Sequence, residues 1–125
     1  MASLKDYTTI CNSAPSEFLA EVAMRNRKKL AERNLQIIKD NLSIMDNFFS
    51  CHTDLFSWVR PRAGSMAFPR YPGGDVEKFC DELVKKAGVL LLPSTIYDDS
   101  NNHFRLGLGR KNLPQAVERM EEFFK

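Results

Sequence analysis

GVLLLPSTIYDDSNNHFRLGLGRKN, residues 88–112, is the stretch on which the reading of this chain turns. If residues 103–109 form a strand, alternation sends Phe104, Leu106 and Leu108 to one face and His103, Arg105, Gly107 and Gly109 to the other. A long cation then stands on a face cleared by glycines, with room for a molecule to lie against the backbone. A planar guanidinium in open space suits a carboxylate or phosphate, which it grips through two parallel hydrogen bonds. An arginine on the wet face of a half-buried strand needs no such role, so the strand alone leaves both readings open.

Working outward, Val89–Leu92 is an apolar run that reads as a buried strand closed by Pro93, and residues 98–102 read as a polar loop. Before it, Asp75 can cap a helix running to Ala87, with Val76, Phe79, Cys80, Leu83 and Val84 inward and Gly88 ending it in a left-handed conformation. Trp58–Arg60 and Ser65–Phe68 flank the turn sequence Pro61–Gly64 and predict a hairpin. Further upstream, Ala31, Leu35, Ile38, Leu42, Met45 and Phe49 recur at helical spacing, preceded by Phe18, Leu19, Val22 and Ala23. With Ser13 as cap and Pro15 in the first turn, they predict one long helix over about residues 14–50, bent near 25–29. Asn112 and Gln115 have capping-box spacing for a last helix that buries Leu113, Val117, Met120 and Phe124. The fold class is therefore α+β, a small, mainly antiparallel sheet with a long N-terminal helix and two shorter helices packed on one face.

At 125 residues and 43% hydrophobic content the chain has the size and composition of one globular domain. No apolar run is long enough to cross a bilayer and no signal-peptide pattern opens the sequence, so no membrane partner and a cytoplasmic location are expected. Cys11, Cys51 and Cys80 are odd in number and widely spaced, which fits a reducing compartment, and with the two histidines they show no metal-ligand spacing. Cys51 and His52, adjacent in sequence, read as the end of a helix and not as a nucleophile and its base. The basic run Arg25–Arg33 lacks interleaved aromatics, has Glu21 and Glu32 within pairing reach, and reads as a solvated helix face; no nucleic acid is expected.

The order of motifs carries a further implication. APSEFLAE opens the long helix, WVRPRAGSMAFPR follows, and then come GVLLLPSTIY, a polar gap, HFRLGLGR and NLPQAVERMEEFF. This order resembles the C-terminal small domain of class I/II, fold type I, pyridoxal-phosphate-dependent aminotransferases, from about Lys5 to Lys125. The resemblance implies a small domain over 14–125, led in by an extended segment over 1–13 that leaves an upstream large domain. It makes Arg105 the residue that binds the substrate's α-carboxylate, with Gly107 giving it room. Gly64, Ser65 and Met66 match the family's loop-to-strand position at the substrate entrance, although an ordinary tight hairpin explains them equally. Tyr97 and the loop after it depart from the commoner family form, so side-chain specificity is not legible; His103 reads as a surface residue at a strand start.

In that family the Schiff-base lysine, the aspartate on the pyridine nitrogen and the phosphate-binding groups belong to the large domain, and nothing in this chain matches them. The resemblance thus implies pyridoxal 5'-phosphate in a full-length, homodimeric enzyme acting on an amino acid and a 2-oxo acid. The chain alone is expected to hold no cofactor and to be inactive. Two other readings stand beside it: a free-standing carboxylate-binding or regulatory module that kept the fold and the arginine, and a protein that interacts through its long amphipathic helix.

Overall fold

A computed structural model of the chain describes residue 8 and residues 13–125. The elements are α1 (Ala14–Arg25), α2 (Arg27–Cys51), β1 (Met66–Ala67), α3 (Val76–Ala87), β2 (Leu92–Pro93), a 3-10 turn (Ser94–Tyr97), β3 (Phe104–Gly107) and α4 (Leu113–Phe123). They fall into two compact units, residues 1–34 and 35–125.

In the first unit the expected single helix is two. Asn26 ends α1 inside the bend window: its backbone N–H and its Nδ2 both donate to the Val22 carbonyl, at 3.1 and 2.8 Å. Such local side-chain bonding competes with helix continuation. Ser13 precedes α1 without a side-chain cap, and no residue of α1 is buried. The row Phe18, Leu19, Val22 is exposed, because helical spacing decides which side chains share a face and not whether anything covers it. Residue 8 is helical, against the extended lead-in expected there; the remainder of 1–12, with Cys11, lies outside the described residues.

The second unit holds the core. Within α2 the stripe becomes buried only from Leu42, through Met45 and Phe49, while Leu35 is exposed. The sheet is antiparallel in the order β1-β3-β2, with Met66 opposite Gly107 and Leu92 opposite Arg105. Its inner face, Ala67, Phe104 and Leu106, joins one hydrophobic cluster with side chains of α2, α3 and α4. Phe56, in the loop after α2, stacks edge-on or tilted against Phe48, Phe49, Phe79, Phe104 and Phe124 and is the hub of that cluster. The α+β architecture is as read from the sequence.

Three local expectations change. The hairpin does not form: Ser57 bridges Arg70, and Trp58 turns away to stack on Phe49 at 4.5 Å and to donate to Asp46 Oδ1 at 2.8 Å. That anchoring on α2 removes residues 58–60 from the sheet. The buried run after Gly88 is shifted, with Val89 and Leu91 inside, Leu90 outside, and Pro93 within β2 instead of closing it. As an edge strand, β2 tolerates a residue without an N–H. Finally, Asn112 makes no side-chain capping bond, Val84 is exposed and Phe124 is half-buried. By contrast Asp75 caps α3, accepting from the N–H groups of Glu77 and Lys78, and Gly88 (φ 65°) ends it in the left-handed region.

Candidate carboxylate site

Alternation along β3 holds as read. Phe104 and Leu108 are 0% exposed and Leu106 6%, whereas Arg105 and Gly107 lie on the open face. The buried leucines and Phe104 fix the strand's register, and the register fixes where the guanidinium emerges. A buried amide secures the strand's exit: Asn41 Nδ2, from α2, donates to the carbonyls of Leu108 (2.8 Å) and Arg110 (2.7 Å). From the other side Leu108 N–H donates to the Ser65 carbonyl at 2.8 Å.

Arg105 emerges on that face as an exposed guanidinium. Among the described residues no carboxylate lies within ion-pair distance of it; Nη1 donates to the Tyr97 hydroxyl at 3.0 Å and Nη2 meets the Met66 sulfur at 3.9 Å. Met66, Ala67, Phe68, Tyr97 and Arg105 enclose an open pocket of about 340 Å³. A second hollow of about 500 Å³ also reaches Arg105; Arg110 and Arg119 line it, and no Asp or Glu does. Gly107 has no conformational need to be glycine, since a Cβ there would meet only the Met66 sulfur at 3.9 Å. What its hydrogen side chain leaves is free space over the strand.

Of the residues expected at the site, Arg105, Met66 and Gly107 are brought together, Met66 lying opposite Gly107 across the β1–β3 pairing. Ser65 is exposed just before β1, contributes its carbonyl to the sheet, and does not line the pocket beside Arg105. His103 is more engaged than a surface residue at a strand start. Its ring stacks on Phe68 at 5.0 Å, and its Nδ1 lies 2.9 Å from Asp99 Oδ2. Partial burial pushes the Asp99 carboxyl up, but hydrogen bonds from His103 and Asn101 outweigh it and hold Asp99 below the ordinary aspartate range. Cys51 and His52 do end α2, with His52 Nδ1 2.9 Å from the Phe48 carbonyl. Among the described residues no group of His, Cys, Asp or Glu could hold a metal ion, and no helix is long and apolar enough to cross a membrane.

A PLP-dependent aminotransferase from Streptococcus suis superposes with a TM-score of 0.86 at 28% identity, over 98% of this chain and 33% of that one. The PLP-dependent cyclase OrfR superposes at 0.84 with 27% identity, over 97% and 34%. The chain is similar to the C-terminal small domain of PLP-dependent aminotransferases. Capreomycidine synthase of Streptomyces vinaceus is 26% identical over 125 residues, covering 98% of this chain and 32% of that protein. The chain thus spans about a third of the length of these relatives. No family model matches it.

Of the residues that build this site, Asn41, Ser94 and Phe68 were not singled out in the sequence, and Tyr97 was named there only as a departure from the family form. Asn41 had a signal, since it sits three residues after Ile38 and four before Met45 and so falls on the buried side of α2. Ser94, 0% exposed, ties the base of the polar loop: its N–H donates to the His103 carbonyl and its Oγ to the Asp99 carbonyl, while its Oγ accepts from His103 N–H. A serine directly after Pro93 is a turn signal of the ordinary kind. Phe68 and Tyr97 carried none, since their meeting with Arg105 depends on how that loop closes.

Proposed function

We propose that this chain, over residues 14–125, works as the C-terminal small domain of a PLP-dependent aminotransferase of amino-acid metabolism and that Arg105 binds the substrate's α-carboxylate there. The observation that carries the reading is an arginine with no carboxylate partner among the described residues, on a strand face kept open by a glycine the fold does not require. The likeness to PLP-dependent enzymes over nearly the whole chain supports the cofactor class. In this reading the enzyme is a cytoplasmic homodimer exchanging an amino group between an amino acid and a 2-oxo acid.

The described residues do not fit pyridoxal phosphate itself. A lysine that takes up its aldehyde must be a neutral amine, favoured by burial. Every lysine among the described residues is exposed, and Lys85, hydrogen-bonded to and attracted by Asp81, has its pKa raised. What Arg105 supplies is positioning: two parallel hydrogen bonds fix the acid's orientation, so the reacting amino or oxo group is presented in one pose.

The test uses the protein as its source genome encodes it. Arg105→Ala should lower kcat/KM for an amino acid by about 2–4 kcal/mol, because the bound carboxylate loses a charged partner. Arg105→Lys should fall between, keeping the charge but not the fork. An amine substrate without a carboxylate should be nearly indifferent to both. Equal damage to acid and amine would place Arg105 in the fold or an interface; a product with neither cofactor nor turnover would leave the carboxylate-binding module.

A further inference from the structure

The Arg105 pocket has a second donor and a marked polarity, and together they say more about the ligand. Tyr97 ends the 3-10 turn, which is pinned by Ser94 to the Asp99 carbonyl and by Thr95 Oγ1 to the Glu77 carboxylate. Asp98, next in the chain, is left-handed at φ 57° and turns the backbone back toward β3. The phenol is thereby placed 3.0 Å from Arg105 Nη1, as an acceptor. A phenol that accepts through oxygen still has its own proton to give. Among the described residues no acceptor receives it. Arg105 in turn spends Nη2 on nothing stronger than the Met66 sulfur. Unused donors of two side chains therefore line one pocket, whose other walls are Met66, Ala67 and Phe68.

A carboxylate offers about four lone-pair positions and no donor, so it can take hydrogen bonds from the guanidinium and the phenol together. The rest of the ligand meets the thioether of Met66 and the phenyl of Phe68, since Ala67 turns its methyl to the core. A second charge finds no counter-charge among these walls, whereas an aliphatic or aromatic side chain gains by partial burial against them.

We propose that this pocket takes an amino or 2-oxo acid with an uncharged, apolar side chain, its carboxylate held jointly by Arg105 and Tyr97. The inference rests on the carboxylate reading of Arg105 and adds to it a second donor and a substrate class. Tyr97→Phe is the discriminating variant, because it keeps the ring that packs edge-on to Phe68 at 6.2 Å and removes only the hydroxyl.

The 125-residue chain, labelled on nitrogen and on its methionine methyl groups, is titrated with pyruvate, 4-methyl-2-oxopentanoate and 2-oxoglutarate while the Arg105 Nε–H and Met66 methyl signals are followed by NMR. 4-Methyl-2-oxopentanoate should shift both signals saturably and bind about 5- to 10-fold more tightly than pyruvate, as burial of its extra carbons requires. Tyr97→Phe, its amide spectrum otherwise preserved, should weaken both acids by a common factor of about 5, the worth of a hydrogen bond to a charged group at a half-open site. If Tyr97→Phe binds as the wild type does, the phenol only props the guanidinium and joint holding is wrong. If pyruvate or 2-oxoglutarate shifts the Met66 methyl at equal or lower concentration, the apolar class is wrong. No shift of Arg105 by any acid is a different failure, that of the carboxylate reading itself.

Discussion

Removing the Asn41 side chain tests whether the site's frame is held as described. Asn41 is 3% exposed and its Nδ2 donates to two carbonyls just beyond β3, those of Leu108 at 2.8 Å and Arg110 at 2.7 Å. A carbonyl left buried without a donor costs about 1–3 kcal/mol, more than the net worth of the bond that served it. The Leu108 carbonyl is enclosed and should bear that cost in full, while the less buried Arg110 carbonyl can turn to water and bear the low end. Asn41→Ala should therefore destabilise the chain by about 2–4 kcal/mol. Asn41→Leu, which refills the volume with no donor, should recover less than half of that loss. Asn41→Asp should be at least as harmful as Asn41→Ala at neutral pH, because carboxylate oxygens would face carbonyl oxygens. Urea unfolding followed by circular dichroism reads the effect as a shift of midpoint at unchanged slope. A cost below about 0.5 kcal/mol for Asn41→Ala, or full recovery by Leu, would refute the reasoning, since packing and not hydrogen bonding would then hold the strand's exit.

Other expectations follow from neighbouring residues. In the same assay Leu106→Ala should cost about 2–5 kcal/mol as a core truncation and Arg105→Ala under about 1 kcal/mol. Equal costs would make Arg105 structural. Burial pushes the Cys80 thiol up to about 11, so at pH 8 a thiol reagent should modify Cys51 quickly and Cys80 only on unfolding, as peptide mapping would show. Because that folded-state value is raised, the neutral thiol's contribution is complete below the unfolded thiol's pKa, about 8.5, and is lost as pH rises toward 11. Asp99 has the opposite sign: its value is lowered in the fold, so its contribution is present above the ordinary aspartate pKa, about 4, and is lost as pH falls through the folded value. Asp99→Asn should flatten the acid limb of stability against pH in that window and leave the neutral plateau's slope alone.

Most of the architecture was legible because it follows from periodicity and punctuation. The alternation in residues 103–109, the cap at Asp75 and the left-handed Gly88 are each local, with no dependence on distant residues. The failures share a different cause. Trp58–Arg60 has strand-like composition, yet Asp46 and Phe49 on α2 hold Trp58 by a hydrogen bond and a stack, and no local pattern announces that partner. Phe18, Leu19 and Val22 repeat like a core stripe and are exposed. Spacing names a face, and only tertiary context says what meets it.

The candidate site shows the same division. Arg105 could be located from sequence because its exposure is set by its neighbours in the strand. Its environment could not, because Tyr97 reaches it across a loop with left-handed residues at Asp98 and Asn102 and a buried serine at its base. The polar interior is otherwise complete: among the described residues no buried side-chain nitrogen or oxygen lacks a hydrogen-bond partner. Against that interior, a guanidinium and a phenol set together on an apolar shelf, with no protein acceptor for their spare donors among the described residues, are what the proposed carboxylate ligand would engage. Gly107 strengthens the point, since an alanine would fit there at no cost to the backbone. Gly107 lines the larger hollow that also reaches Arg105, so Gly107→Ala should leave stability unchanged or slightly improved while weakening acid binding on that side of the guanidinium.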